Sequence, residues 1–217
     1  MRTDGSSETI EYVWGRDLSG TLQGAGGVGG LLYLKRNGSI FVPIYDAYGD
    51  IVDGNGSSPL QGGGIGSISP NPVNTDLERL MNDDDVKAVV IRVNSGGGSA
   101  YASEQIWHQV KLLKEKKPVV ISMGGMAASG GYYISCGASK IFAEPSTLTG
   151  SIGIFGMIPD ASGLLKEKLG LSFDVVKTNE SSDFGAAGRP FNEAESGAMQ
   201  QYVNRGYQTF ITRVANG

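Results

Sequence analysis

The stretch KAVVIRVNSGGGSAYASEQIWHQVKLLKEKK, Lys87–Lys117, decides the fold. Lys87–Val93 is a continuous apolar run rich in β-branched residues, as expected of a strand buried on both faces. A glycine-rich turn, Asn94–Ser99, follows. Ile106, Val110 and Leu113 then recur at helical spacing across Tyr101–Lys117. The same order repeats downstream. Pro118–Met123 reads as the next buried strand and Ala127–Cys136 as a helix of small residues. Ile141–Ala143, Ile152–Ile158 and Phe173–Val176 read as short strands. Ala161–Leu169 and Glu193–Val214 read as helices, the latter with Met199, Tyr202, Val203 and Phe210 facing inward. Upstream, Asn74 or Thr75 can cap a short helix over Asp76–Met81. Strands alternating with helices at this spacing predict a parallel sheet with helical crossovers, and the class is α/β.

The beginning of the chain is different. Of 34 glycines in 217 residues, 16 fall in the first 66, where short β-like runs alternate with turns. Leu31–Leu34 and Ile40–Tyr45 flank Asn37-Gly38, a good signal for a type I′ hairpin turn. Ser57–Pro72 reads as a flexible loop. A poorly ordered tail is the alternative for the whole start.

Composition narrows the function classes. A net charge of −4 leaves no basic footprint for nucleic acid. The single cysteine, Cys136, excludes a disulfide framework and a thiolate metal site, and the single histidine, His108, excludes a His-rich one. We expect no cofactor and no metal. No run approaches the roughly 18 apolar residues of a membrane span, and Met1–Gly15 does not read as a secretory signal.

Two glycine clusters each follow a buried strand, where ligands of α/β proteins gather. In Asn94–Ser99, consecutive glycines allow backbone N–H groups to approach a ligand, although a plain strand-to-helix turn would look the same. In Met123–Tyr132, Ser129 sits among residues too small to cover it, at the expected start of a helix. It can be a nucleophile beside amides that favour an oxyanion, or simply a helix cap. A nucleophile needs a base. His108, in mid-helix beside Trp107, is a poor candidate, and a desolvated lysine is the alternative.

VNSGGGSAYASE (Val93–Glu104), SMGGMAASGGYYIS (Ser122–Ser135) and PSTLTGSIGIFG (Pro145–Gly156) together resemble the signal peptide peptidase A family, also called protease IV, over about Val86–Asn216. The resemblance implies a crotonase- and Clp-like fold of repeated ββα units, a Ser-Lys dyad, an oligomer, and cleavage of signal peptides in the bacterial cell envelope. By motif, Ser129 matches the nucleophile, Gly97 the oxyanion turn with Gly130 as second donor, and Ser151 a serine beside the dyad lysine. Gly96 stands where many relatives carry Pro. The lysine itself is missing: Ser182 occupies its position, as in the C-terminal half of two-domain members. The base is then expected from an N-terminal-half domain or another copy, with Lys177 as the alternative within this chain.

Tyr12–Gly20, Gly26–Leu32 and Tyr45–Asp50 resemble YD-repeat (rearrangement-hotspot) proteins. We therefore expect a β-hairpin appendage over 1–45 and a peptidase domain over 46–217, incomplete at its C-terminus. The leading expectation is a serine peptidase acting on apolar peptides, inactive or weak as this chain alone, membrane-associated but without a span of its own. A non-catalytic assembly module and a crotonase-type acyl-CoA enzyme are the rivals.

Overall fold

A computed structural model describes residues 10–14, 31–36, 39–53 and 67–217. The chain divides into two compact units, Met1–Ile152 with Phe210–Gly217, and Gly153–Thr209.

The first unit is built on a seven-stranded sheet in the order β1-β2-β3-β6-β7-β8, with β9 also pairing β7. These strands are β1 (Ile10–Trp14), β2 (Leu31–Arg36), β3 (Ser39–Tyr48), β6 (Val86–Ser95), β7 (Val119–Ala128), β8 (Lys140–Phe142) and β9 (Leu148–Gly150). β4 (Asp50–Ile51) and β5 (Ser67–Ile68) form a separate parallel pair. From β3 onward every pairing is parallel, and the helices α1 (Pro70–Asn82), α2 (Ala100–Lys116) and α3 (Gly130–Cys136) lie between successive strands. This is the expected α/β class. Val89, Val93, Ile106, Val110, Leu113, Val119 and Ile121 form its buried core, with the helical spacing read from the sequence turned inward.

Several expectations are corrected. Helix α1 begins at Pro70, within the stretch read as a loop, because proline in a first helical turn has no N–H to leave unpaired and a φ already suited to a helix. Ala127 and Ala128 belong to strand β7, so α3 starts only at Gly130. Ile152–Ile158 and Phe173–Val176 are not strands. Their β-branched and aromatic content is real, but among the described residues no neighbouring strand pairs with them, and Phe155 and Val176 are 89% and 98% exposed. In place of the helix over Ala161–Leu169 there is a π-helical turn, Leu164–Lys168, after a short helical start. Helix α4 (Glu193–Ala215) is as expected, with Phe210 buried, but Tyr202 is exposed.

The N-terminal strands join the main sheet. β1 and β2 pair antiparallel and β2 pairs β3, which runs parallel beside β6 along most of its length. These strands continue the α/β sheet, and the boundary expected at 45/46 falls inside β3. The YD-repeat resemblance is not borne out. The pairing Arg36↔Ser39 brackets Asn37-Gly38, but that turn, like the loop up to residue 66, lies outside the described residues.

Candidate active site

Strand β7 delivers the chain to Ser129, where φ is 50° and ψ −117°. Ser129 and Ser151 are the two non-glycine residues with positive φ among those described. Such a backbone costs on the order of 1–3 kcal/mol and persists only where the surroundings impose it. Here β9 does so, since the Ser129 N–H donates to the Gly150 carbonyl at 2.9 Å, one residue before the exposed Ser151. The Ser129 carbonyl accepts the Tyr133 N–H at 2.9 Å, which starts α3. Ser129 is the N-cap residue, yet its hydroxyl makes no cap hydrogen bond. The capping explanation of this half-buried serine therefore fails, and its Oγ is left for other work.

The triple-glycine turn is pressed against it. At Gly97, φ is 104°, and a Cβ there would lie 2.6 Å from the Gly130 nitrogen and 2.8 Å from the Ser129 Cβ. At Gly98, φ is 145°, and a Cβ would sit 2.1 Å from the Ile51 carbonyl oxygen. β4 holds this turn from the other side: the Ile51 N–H donates to Gly97 O, and the Ser99 N–H donates to Ile51 O, both at 2.8 Å. In a parallel ladder of this kind the residue between the two bonds directs its own N–H away from the partner strand. Gly98 is that residue.

The two adjacent amides of the turn differ. The Gly97 N–H is already donated, to Ser95 Oγ at 3.1 Å. Its amide is spoken for inside the turn, whereas Gly98 presents an N–H on the side away from β4. Two side chains that motif reading passed over hold the frame. Ser95 ties the turn to Gly49, and Asn94 Oδ1 accepts the Met126 N–H at 3.0 Å across an irregularity in the β6–β7 register. Polar side chains flanking a glycine turn were the available signal for both.

Behind α3, Tyr133 donates to Glu104 on α2, and Arg213 bonds the same carboxylate at 2.7 Å while stacking 4.1 Å from the Trp107 ring. Burial, then the Glu104 hydrogen bond, pushes the Tyr133 phenol well above its ordinary range. Burial pushes the Cys136 thiol up to about 11. His108 is exposed on α2.

The second unit carries Lys177 and Ser182. Lys177 Nζ lies 3.3 Å from Asp183 Oδ1 and 3.2 Å from the Glu180 carbonyl. The Lys177 amine is thus engaged within the second unit by an acid and a carbonyl. Ser182 is exposed and donates its hydroxyl to the Asn179 carbonyl at 3.0 Å. Arg189 forks between Asp183 and Glu195, with contacts of 2.6–2.8 Å. Its hydrogen bonds hold Asp183 far below the usual carboxylate range and Glu195 at about 2. Among the described residues no three His, Cys, Asp or Glu side chains cluster as a metal site, and no helix is long and apolar enough to cross a membrane.

A parallel sheet with helical crossovers ends one strand in a strained serine, with a glycine turn packed on it, and this is a Clp-like α/β protein. The Clp protease family model matches residues 62–148, and the model of peptidase family S49 matches residues 111–217. The chain belongs to peptidase family S49. It is 39% identical over 177 residues to Protease 4 of Haemophilus influenzae and 41% identical over 176 residues to Protease 4 of Salmonella typhi, covering 81% of this chain and 27% of each relative. A putative signal peptide peptidase SppA of Enterococcus faecium is 39% identical over 144 residues, which is 66% of this chain and 42% of that one. The chain thus spans about a quarter of the length of the first two relatives. A solved enoyl-CoA hydratase from Mycobacterium smegmatis superposes with a TM-score of 0.37 at 16% identity, over 84% of this chain and 75% of that one, too loosely to bear on function.

Proposed function

We propose that this chain is a serine endopeptidase domain acting on extended apolar peptides such as signal peptides, with Ser129 as nucleophile. The observation that carries the reading is the Ser129 backbone: a non-glycine residue at φ 50°, its hydroxyl uncapped, beside a turn that has no room for a Cβ at Gly97 or Gly98. Strain kept at a single small nucleophile is what a strand-to-helix elbow provides.

In the proposed reaction Ser129 Oγ attacks the scissile carbonyl carbon while its proton passes to a neutral lysine amine. The carbonyl π electrons move onto oxygen, and the N–H groups of Gly98 and Gly130 bind that oxyanion. Collapse expels the amine leaving group, which takes the proton from the lysine. Water then attacks the acyl-Ser129 ester by the same route in reverse. Ser151, one residue past the carbonyl that fixes Ser129, would orient the lysine. That lysine comes from an N-terminal-half domain or another copy in an oligomer, because Lys177 is engaged by Asp183. The likeness to signal peptide peptidases supports association with the bacterial cell envelope.

The test is labelling by a serine-directed fluorophosphonate with mass mapping of the adduct. Modification at Ser129, lost in Ser129→Ala, supports the reading. Modification elsewhere, or none with an added N-terminal half, overturns it. The same engagement of Lys177 favours a second reading, an assembly module that never reacts, and that last outcome would establish it.

A further inference from the structure

The glycine turn contains two adjacent amides, at Gly97 and Gly98, and an oxyanion site needs one of them in a fixed direction. We propose that the buried hydroxyl of Ser95 makes that choice: it withdraws the Gly97 amide and leaves Gly98 as the donor. This rests on the peptidase reading above and adds a positioning residue to it.

Ser95 is the last residue of β6 and is 2% exposed. Its hydroxyl has one proton, and that proton goes to the Gly49 carbonyl at 2.7 Å. Toward Gly97 the oxygen is therefore an acceptor, and it takes that N–H at 3.1 Å. Gly49 is itself tied down, its N–H donating to the Asn94 carbonyl at 3.3 Å. The Gly97 carbonyl is taken by the Ile51 N–H at 2.8 Å. With both its amide and its carbonyl bonded, Gly97 cannot swing. In a trans peptide the N–H lies opposite the carbonyl, so the Gly98 N–H is aimed by the bond that Gly97 O makes to β4. Three consecutive glycines, Gly96–Gly98, have little intrinsic preference for this conformation. Without the Ser95 oxygen the Gly97 amide would be buried with no acceptor and would turn to find one, carrying the 97–98 peptide with it. A displacement of about 1 Å at a catalytic group costs on the order of a hundredfold in rate.

The experiment compares the full chain with Ser95→Ala, which removes the acceptor, and Ser95→Thr, which keeps it. Amide hydrogen exchange by NMR reports the turn, and the second-order rate of fluorophosphonate labelling at Ser129 reports the site. In the unaltered chain we expect Gly97 protected and Gly98 exchanging fast. Ser95→Ala should release Gly97 and slow labelling on the order of tenfold to a hundredfold at a temperature where the variant is fully folded. Ser95→Thr should restore both; if its extra methyl prevents folding, the alanine variant alone decides. Unchanged labelling with Gly97 released would mean that Ser95 only satisfies a buried amide, and the proposal fails while the peptidase reading stands. A Gly97 amide unprotected in the unaltered chain also overturns it. Labelling that survives Ser129→Ala removes the peptidase reading, and the role of Ser95 falls with it.

Discussion

Gly97 and Gly98 both have positive φ, yet they face different neighbours, and their substitutions should fail differently. A Cβ on Gly98 meets the Ile51 carbonyl oxygen at 2.1 Å, a backbone atom that no rotamer change can move. Gly98→Ala should therefore break the contact between the turn and β4 and lower the thermal midpoint sharply. A Cβ on Gly97 meets Ser129 and the Gly130 nitrogen, the reacting end of the site. Gly97→Ala should cost less stability but reduce Ser129 labelling on the order of a hundredfold, because its Cβ displaces Ser129 and the Gly130 amide by about 1 Å. Paired melting and labelling measurements separate the two; equal effects on both quantities would show that the turn acts as one unit. Cys136 gives a simpler test. It is 5% exposed with its thiol pushed up to about 11, so it should resist thiol reagents at pH 8 until the protein unfolds. Rapid modification of the folded chain would contradict its burial. At this scale the proposed nucleophile is suggested by the sequence through Ser129 and its small neighbours. Ser95 and Asn94 carry only the weaker signal of polar residues beside a glycine turn, because their partners, Gly49 and Met126, are brought to them by the fold.

Among the elements, the start of α4 shows how local chemistry sets pH dependence. Asn192 Oδ1 accepts the Glu195 N–H at 2.8 Å, and the Glu195 carboxylate accepts the Asn192 N–H at 2.9 Å, a reciprocal cap of the kind that begins many helices. Arg189 adds a fork to that carboxylate, and Glu195 is held at about 2 against an ordinary 4.5. A depressed carboxylate stabilises the folded state above its unfolded value and loses that contribution as pH falls through its folded value. The second unit should therefore lose stability between about pH 4.5 and pH 2, with Asp183 extending the loss to lower pH. Arg189→Met should lower stability at pH 7 and flatten this acid dependence, measured as the pH profile of exchange in the first turn of α4. A variant with an unchanged profile would show that the fork is not what depresses Glu195. Strands β6 and β7 and helix α2 were readable because burial on both faces and a 3.6-residue period leave strong patterns. Ile152–Ile158 carries the residue types of a strand, but a strand also needs a partner, and residue type does not supply one.

At the scale of the whole molecule, the N-terminal strands and the source of the proposed base decide what the chain is. β2 pairs β3, and β3 runs parallel to β6 from Ile40 to Tyr48, so deleting residues 1–38 strips a ladder from the main sheet. The midpoint of unfolding should fall; an unchanged midpoint would restore a dispensable appendage. Glycine-broken runs conceal this, because membership of a sheet is a matter of register and leaves no pattern of core positions in the sequence. The base raises the larger question. A serine hydroxyl is a poor nucleophile until a nearby group takes its proton, and a lysine does so only when desolvation holds it neutral. The chain has ten lysines. Lys177 is bound to Asp183, and Lys117 donates to the carbonyls of Leu80 and Asp83 at the end of α1. Ser182, at the position where the resemblance puts the family lysine, is exposed. The isolated chain should therefore label slowly at pH 7–8. Adding an N-terminal half, or making Ser182→Lys, should raise the Ser129 rate, and a rise from the first alone would mean that the base arrives only by assembly. Fast labelling of the unaltered chain that disappears in Lys177→Ala would instead make Lys177 the base, at the cost of its bond to Asp183. If fast labelling survived the loss of every lysine, the serine would be activated by something other than an amine, and the dyad would have no part in this chain.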